Sequence, residues 1–229
     1  IPTLLQDESL RVRRGLLEAI AATHITEYYP PVLKTPHYKS TREAAMQALV
    51  RLGNDALPML SEVATDVYKP EILRTQAWQA MGNIGTTEAL DCLIDNLLTT
   101  WGNTRRTILR ILLKLFQETG LKRSQDIDSA LDRLGRDGVE QLLNQELTFM
   151  GQLYCARLDL DPAQVTGRAA DLLQGSLRDL ERDAVERLFM LLRFISPPSA
   201  IQAAQVSLQG TASSRARGLE ILDNSLDIP

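Results

Sequence analysis

Apolar residues recur along most of this chain at intervals of three and four, as in Leu49, Leu52 and then Leu57, Leu60, Val63 and Ala64, and sustained apolar–polar alternation is absent. That periodicity predicts helices nearly throughout. The prolines fall where such helices should begin or end. Pro30, Pro31 and Pro36 share one loop, Pro58 suits a first helical turn, Pro70 precedes another helix, and Pro162, Pro197 and Pro198 mark later breaks. No proline lies between Glu71 and Asp161. Leu and Ala dominate and aromatics make up 5% of the chain, which suits helix interiors better than sheet faces.

The helical pattern repeats. Thr41 to Gly53 and Leu73 to Gly85 superpose without gaps: Arg42 and Arg74 are each followed three, six and ten positions on by small or apolar residues, and a Gly closes each segment. The same register recurs 32 residues later at Arg106, with Leu109, Leu112 and Phe116 at the matching places. Between these segments, Asn54 to Leu60 and Thr86 to Leu93 read as capped openers of further amphipathic helices. Each unit is thus expected to be a helical hairpin, closed by a left-handed Gly, with Ala45, Ala48, Ala77 and Ala80 allowing neighbouring helices to approach. Stacked hairpins give a solenoid.

This string resembles the HEAT repeats, whose second helix carries a Val/Leu-Arg-x-x-Ala-x-x-Ala-Leu-x-x-Ile-Gly-like pattern. Leu73-Arg74 through Ile84-Gly85 matches it best, while Ser9 to Leu17 looks like an earlier copy and Ser213 to Leu222 like a last one. The resemblance implies an all-α, armadillo-like fold: a HEAT-like α-solenoid of stacked helical hairpins, forming one domain over 1–229. Its clearest repeats cover 40–120, and C-terminal repeats follow over about 163–229. Residues 121–160 leave the 32-residue register and read as an irregular insertion or long repeat punctuated by Gly135, Gly138 and Gly151, with a helix beginning near Asp137 and running towards Leu160. Residues 183–192 and 215–226 are in turn similar to the tail of bacterial ATP/ADP-translocase-like or major-facilitator-type carriers in which a membrane domain is fused to HEAT repeats. That likeness implies a cytoplasmic module of a membrane-anchored parent, and a chain starting at Ile1 fits such a fragment.

Composition narrows the chemistry. A formal net charge of -4 argues against a dedicated nucleic-acid binder, and 44% hydrophobic residues with 24% charged ones are ordinary for a folded protein. The most apolar run, Ile108 to Phe116, is interrupted by Arg110 and Lys114 and does not span a bilayer. Cys92, Cys155, His24 and His37 are too few and scattered for a disulfide framework or a metal centre, so no metal or cofactor is expected. Cys92, on a stripe with Leu90 and Leu93, and Cys155, after Tyr154, are both expected in the core. Asp126, Asp128, Asp132 and Asp137 lack the Gly of a calcium loop and read as a solvated helix start. Asp179, Glu181, Asp183 and Glu186 with Arg178, Arg182 and Arg187 read as a mixed, solvated face.

One segment stands apart. From Trp101 to Gln125, Arg105, Arg106, Arg110, Lys114, Lys122 and Arg123 face a single acid, Glu118. Arg106, Arg110 and Lys114, four residues apart, share a helical stripe, and Arg42 and Arg74 occupy the repeat position of Arg106. A ladder of guanidinium groups supplies both charge and bidentate donors to an acidic partner. Trp101 adds an exposed aromatic beside Arg105 and Arg106, while Trp78 is expected in the core or lining a groove. The competing account has each repeat Arg bonding to an Asp or carbonyl of the neighbouring repeat. The sequence therefore predicts a non-catalytic, cytoplasmic protein-interaction scaffold or regulatory module with no catalytic residues, binding a protein partner through Arg42, Arg74, Trp101, Arg105, Arg106, Arg110 and Lys114. The alternative is an enzyme on the same fold, a DNA glycosylase of the HEAT-like type or a bilin-lyase-like protein; no constellation of residues here calls for either.

Overall fold

The computed structural model describes residues 5, 7–34, 40–118, 125–160 and 166–226, with the side chains of 116–131 set aside. Pro36, His37, Pro162, Lys122 and Arg123, and the side chains of Phe116, Glu118, Asp126 and Asp128, lie outside the described residues. Every regular element among those described is helical, and the chain divides into two compact units, 1–133 and 134–229.

In the first unit short helices follow the repeat. α1 (Leu10–Thr23) buries Leu17, Ile20 and Ala21, and α2 (Tyr29–Lys34) buries Tyr29, Val32 and Leu33. α3 (Arg42–Leu52) buries Ala45, Ala48, Leu49 and Leu52, the three- and four-residue spacing that one helical face requires. α4 (Leu57–Thr65) opens with Pro58 in its first turn, where the missing N–H has no helical partner to lose. α5 (Glu71–Ile84) begins directly after Pro70 and ends at Gly85, whose φ of 65° and ψ of 13° give the left-handed terminator expected there. Gly53 also has a positive φ, 55°, but its ψ of −134° departs from that terminator and leads into a 3-10 turn over Gly53–Ala56. α6 (Thr87–Thr99) is capped by the Thr86 hydroxyl, which accepts from the Ala89 N–H at 3.3 Å. α7 (Gly102–Glu118) completes the series.

The second helices α3, α5 and α7 pack in succession, α1 precedes them against α3, α4 packs on α5, and α6 packs on both α5 and α7. Where α5 meets α7, Gly82 is needed for its missing side chain: a Cβ there would fall on the Ile111 Cγ2. Polar links join consecutive hairpins at the rim. Asn54 bonds the Thr86 hydroxyl at 2.5 Å and the Glu88 carboxylate at 2.9 Å, Asn103 donates to Glu71, and Arg133 reaches Asp91 and Asp95 at 2.5 Å each.

The second unit uses longer helices. α8 (Gln125–Asp159) is broken at Gly135 (φ 59°, ψ 172°) into two helical segments, the second starting just after that residue, as expected for a helix beginning near Asp137, while Gly138 and Gly151 sit inside it without interrupting it. α9 (Arg168–Ile195) runs for 28 residues; α10 (Pro198–Leu208) starts at the Pro197-Pro198 break and packs closely on α11 (Ala212–Ser225) at the buried Gly218. α8 and α9 are tied by Arg157 to Glu181 at 2.5 Å and by a buried ion pair between Arg187 and Glu146, whose two bonds, from Nε and a terminal nitrogen, measure 3.0 and 2.9 Å.

Candidate protein-interaction site

Beside the Gly82–Ile111 contact, α5 and α7 leave a groove of about 420 Å³. Thr75, Gln79, Gly82 and Asn83 form the α5 wall at helical spacing; Thr107, Arg110, Ile111, Lys114 and Leu115 form the α7 wall. The walls are repeat equivalents: Thr75, Gln79, Gly82 and Asn83 stand 32 residues before Thr107, Ile111, Lys114 and Leu115. One register thus carries a neutral polar wall on α5 and, because Lys114 replaces a Gly and Arg110 replaces a Trp, a cationic wall on α7. Among the described residues no Asp or Glu lines the groove.

The residues expected to form a binding surface have separate fates. Arg110 and Lys114 are exposed and line the groove. Arg42 is exposed on α3, and Arg74 on α5 is half-buried. Arg106, also half-buried, donates to Asn103 of its own helix at 2.8 Å, and Asn103 in turn donates across to Glu71 of the preceding repeat. Trp101 is 53% exposed.

Arg105 corrects the expectation. Its side chain is fully buried, with the guanidinium carbon 4.3 Å from the Trp101 ring centroid, so it packs beneath the indole and presents no face to a partner. The reason lies in its spacing: Arg105 stands three, four and seven residues before Ile108, Leu109 and Leu112, all buried, and so lies on the apolar stripe of α7. Trp78 is likewise in the core, at 2% exposure.

The same correction applies to Arg187, expected on a solvated face but only 3% exposed. It stands three residues after Ala184 and four before Leu191 on the buried stripe of α9, and Glu146 follows Leu142 and Leu143 on that of α8. Two charges removed from water require each other, and each supplies the partner. Cys155 is a further correction. It is exposed, because the buried face of that turn is set by Leu153, whereas Cys92 is half-buried with its sulfur 3.8 Å from the Ser61 hydroxyl.

Two groups have displaced proton affinities. Burial, and then the nearby Asp55 charge, raise the Tyr29 phenol above 10.0, and its hydroxyl has no hydrogen-bond partner among the described residues. Hydrogen bonding to Asp91 chiefly raises the Arg133 guanidinium, so its charge is permanent. Neither lies in the groove. Among the described residues no group of three or more His, Cys, Asp or Glu could hold a metal ion, and no helix is long and apolar enough to cross a membrane.

A family model described as HEAT repeats matches residues 31–114, a stretch that takes in α3 to α6 whole and α7 as far as Lys114. No curated protein matches the chain, and the likeness of residues 183–192 and 215–226 to carrier tails finds no support in these comparisons. The fold is all-α and HEAT-like, built from helical repeats.

Proposed function

We propose, from the HEAT repeats at residues 31–114, that the protein is a non-catalytic interaction module whose partner-binding surface is the α5–α7 groove with its flanking cations. HEAT repeats commonly mediate protein interactions, which supports this reading at the level of the fold. The observation that carries it to a place is the open groove with a polar wall and a cationic wall. Exposed charge at such a surface serves the rate and specificity of association more than the stability of the fold. In this reading Arg110 and Lys114, which line the groove, form the centre of the surface, whereas Arg105 belongs to the core.

Cross-linking through the Lys114 amine in extracts of the source cells tests the reading. Proteins joined to wild type at Lys114 should be lost on Arg110→Glu, with the thermal unfolding temperature unchanged. Joining of the same proteins to wild type and variant alike would overturn it.

A further inference from the structure

We infer that the exposed apolar stripe of α8, formed by Leu147, Gly151, Tyr154 and Leu158, pairs antiparallel with the same stripe of a second copy of this chain. Leu147 of each copy meets Leu158 of the other, and Tyr154 of each lies over the other's Gly151. This face is separate from the α5–α7 groove and shares no residue with it.

Leu147, Tyr154 and Leu158 are 55%, 60% and 60% exposed, and with Gly151 they follow spacings of four, three and four, which place them on one face of the helix. The buried stripe of α8, with Leu142, Glu146 and Leu153, is a different face, so the exposed one is no part of the chain's own core. Charge permits a twin to dock there. Residues 147–158 contain a single charged side chain, Arg157, which pairs with Glu181 of α9 at 2.5 Å, so two identical faces would meet without opposing like charges. Gly151 supplies the shape. A Cβ there would meet nothing within 4 Å, so the chain's own packing does not call for a glycine at a place where it weakens the helix. A second helix does call for it. Positions 147 and 158 have the same midpoint as 151 and 154, so an antiparallel pairing that sets Leu147 against Leu158 also sets Tyr154 into the hollow at Gly151 of the other copy. Parallel pairing would oppose glycine to glycine and tyrosine to tyrosine, a gap beside a crowded layer. Area sets the strength. The three large side chains offer on the order of 100 Å² each, and with the flanking Met150 and Cys155 two copies would bury roughly 800–1,000 Å² in all, short of the ~1,200 Å² of a stable complex. The dimer is therefore reversible and separates on dilution.

The test is sedimentation velocity of the full 229-residue chain, under reducing conditions that keep the exposed Cys155 from cross-linking copies. Between about 5 and about 500 µM, the range of a weak encounter, wild type should pass from monomer to dimer. Leu147→Glu should weaken self-association at least tenfold, because each dimer would bury two carboxylates against leucine. The double variant Leu147→Glu/Leu158→Lys should dimerise again, now in a salt-sensitive way, since antiparallel pairing sets each glutamate against a lysine. Gly151→Ala should raise the unfolding temperature of the dilute monomer by replacing a helical glycine, and yet weaken the dimer severalfold by filling the hollow that receives Tyr154. Leu219→Glu, at a leucine of α11 that is also 60% exposed, should leave self-association unchanged.

A wild type that stays monomeric throughout the range would overturn the inference and leave the face to a different protein. A dimer that Leu147→Glu leaves as tight as wild type, or that Leu219→Glu weakens equally, would overturn it too. So would a double variant that associates as weakly as Leu147→Glu, because the antiparallel register requires recovery. Should Leu147→Glu fail to fold, Gly151→Ala decides: a more stable monomer with a weaker dimer upholds the pairing, and an unchanged dimer overturns it.

Discussion

The two units bury their helices by different means. In residues 1–133, short helices meet through repeated small residues, with Ala45, Ala48, Ala77 and Ala80 all buried, and the polar bonds between hairpins lie at the rim. In residues 134–229, the long helices α8 and α9 carry a charged pair, Glu146 and Arg187, through their contact. Each unit also places one arginine on an apolar stripe. Arg105 is covered by an indole and Arg187 is met by a carboxylate, and neither is available as binding surface. A cation's neighbours at three, four and seven residues decide its fate more than the charges beside it in sequence.

The largest effect should come from breaking the buried pair. Glu146→Leu leaves Arg187 in the core without its carboxylate and should cost about 3–5 kcal/mol in denaturant unfolding, whereas the double substitution with Arg187→Met should recover most of that loss. A double variant as unstable as the single one would refute the pair's assigned role. Next comes the close contact in the repeat unit. Gly82→Ala gains about 1 kcal/mol of helix propensity but forces a methyl onto Ile111, so a net loss of about 1–2 kcal/mol is expected, partly relieved by Ile111→Ala.

Tyr29 should give a smaller, pH-dependent effect. Its phenol is raised above 10.0 by burial and by Asp55, so the folded chain keeps a proton that the unfolded chain releases once the pH passes about 10. Its contribution to stability is constant below pH about 10 and declines as the pH rises towards the raised value. Tyr29→Phe should flatten that decline, and at neutral pH it should be neutral or stabilising by up to about 1 kcal/mol because a buried hydroxyl is removed. The smallest effect belongs to the rim. Arg133→Gln removes two exposed ion pairs and should move the unfolding temperature by about a degree at most.

Much of the fold was legible in the sequence for local reasons. Pro58, Pro70, Gly85 and Pro197 act through their own backbone geometry, so they mark helix ends wherever they occur, and the 32-residue register placed α3, α5 and α7 together. The HEAT resemblance read from Leu73 to Gly85 is supported by the family match at residues 31–114. The Glu146–Arg187 pair was hidden because its members are 41 residues apart, and Arg187 was grouped with nearby charges rather than with Ala184 and Leu191. The groove was half visible. Arg110 and Lys114 stood out as charges, but Thr75, Gln79 and Asn83 carry no sequence signal until Gly82 brings α5 against α7.

The central claim is that one run of cations on α7 divides into a buried, structural residue and exposed ones. The most direct test is thermal unfolding of Arg105→Gln and Arg110→Gln, measured side by side. The account expects a drop of several degrees for the buried Arg105 and a change within about one degree for the exposed Arg110. Equal drops for the two, or a drop confined to Arg110, would contradict it.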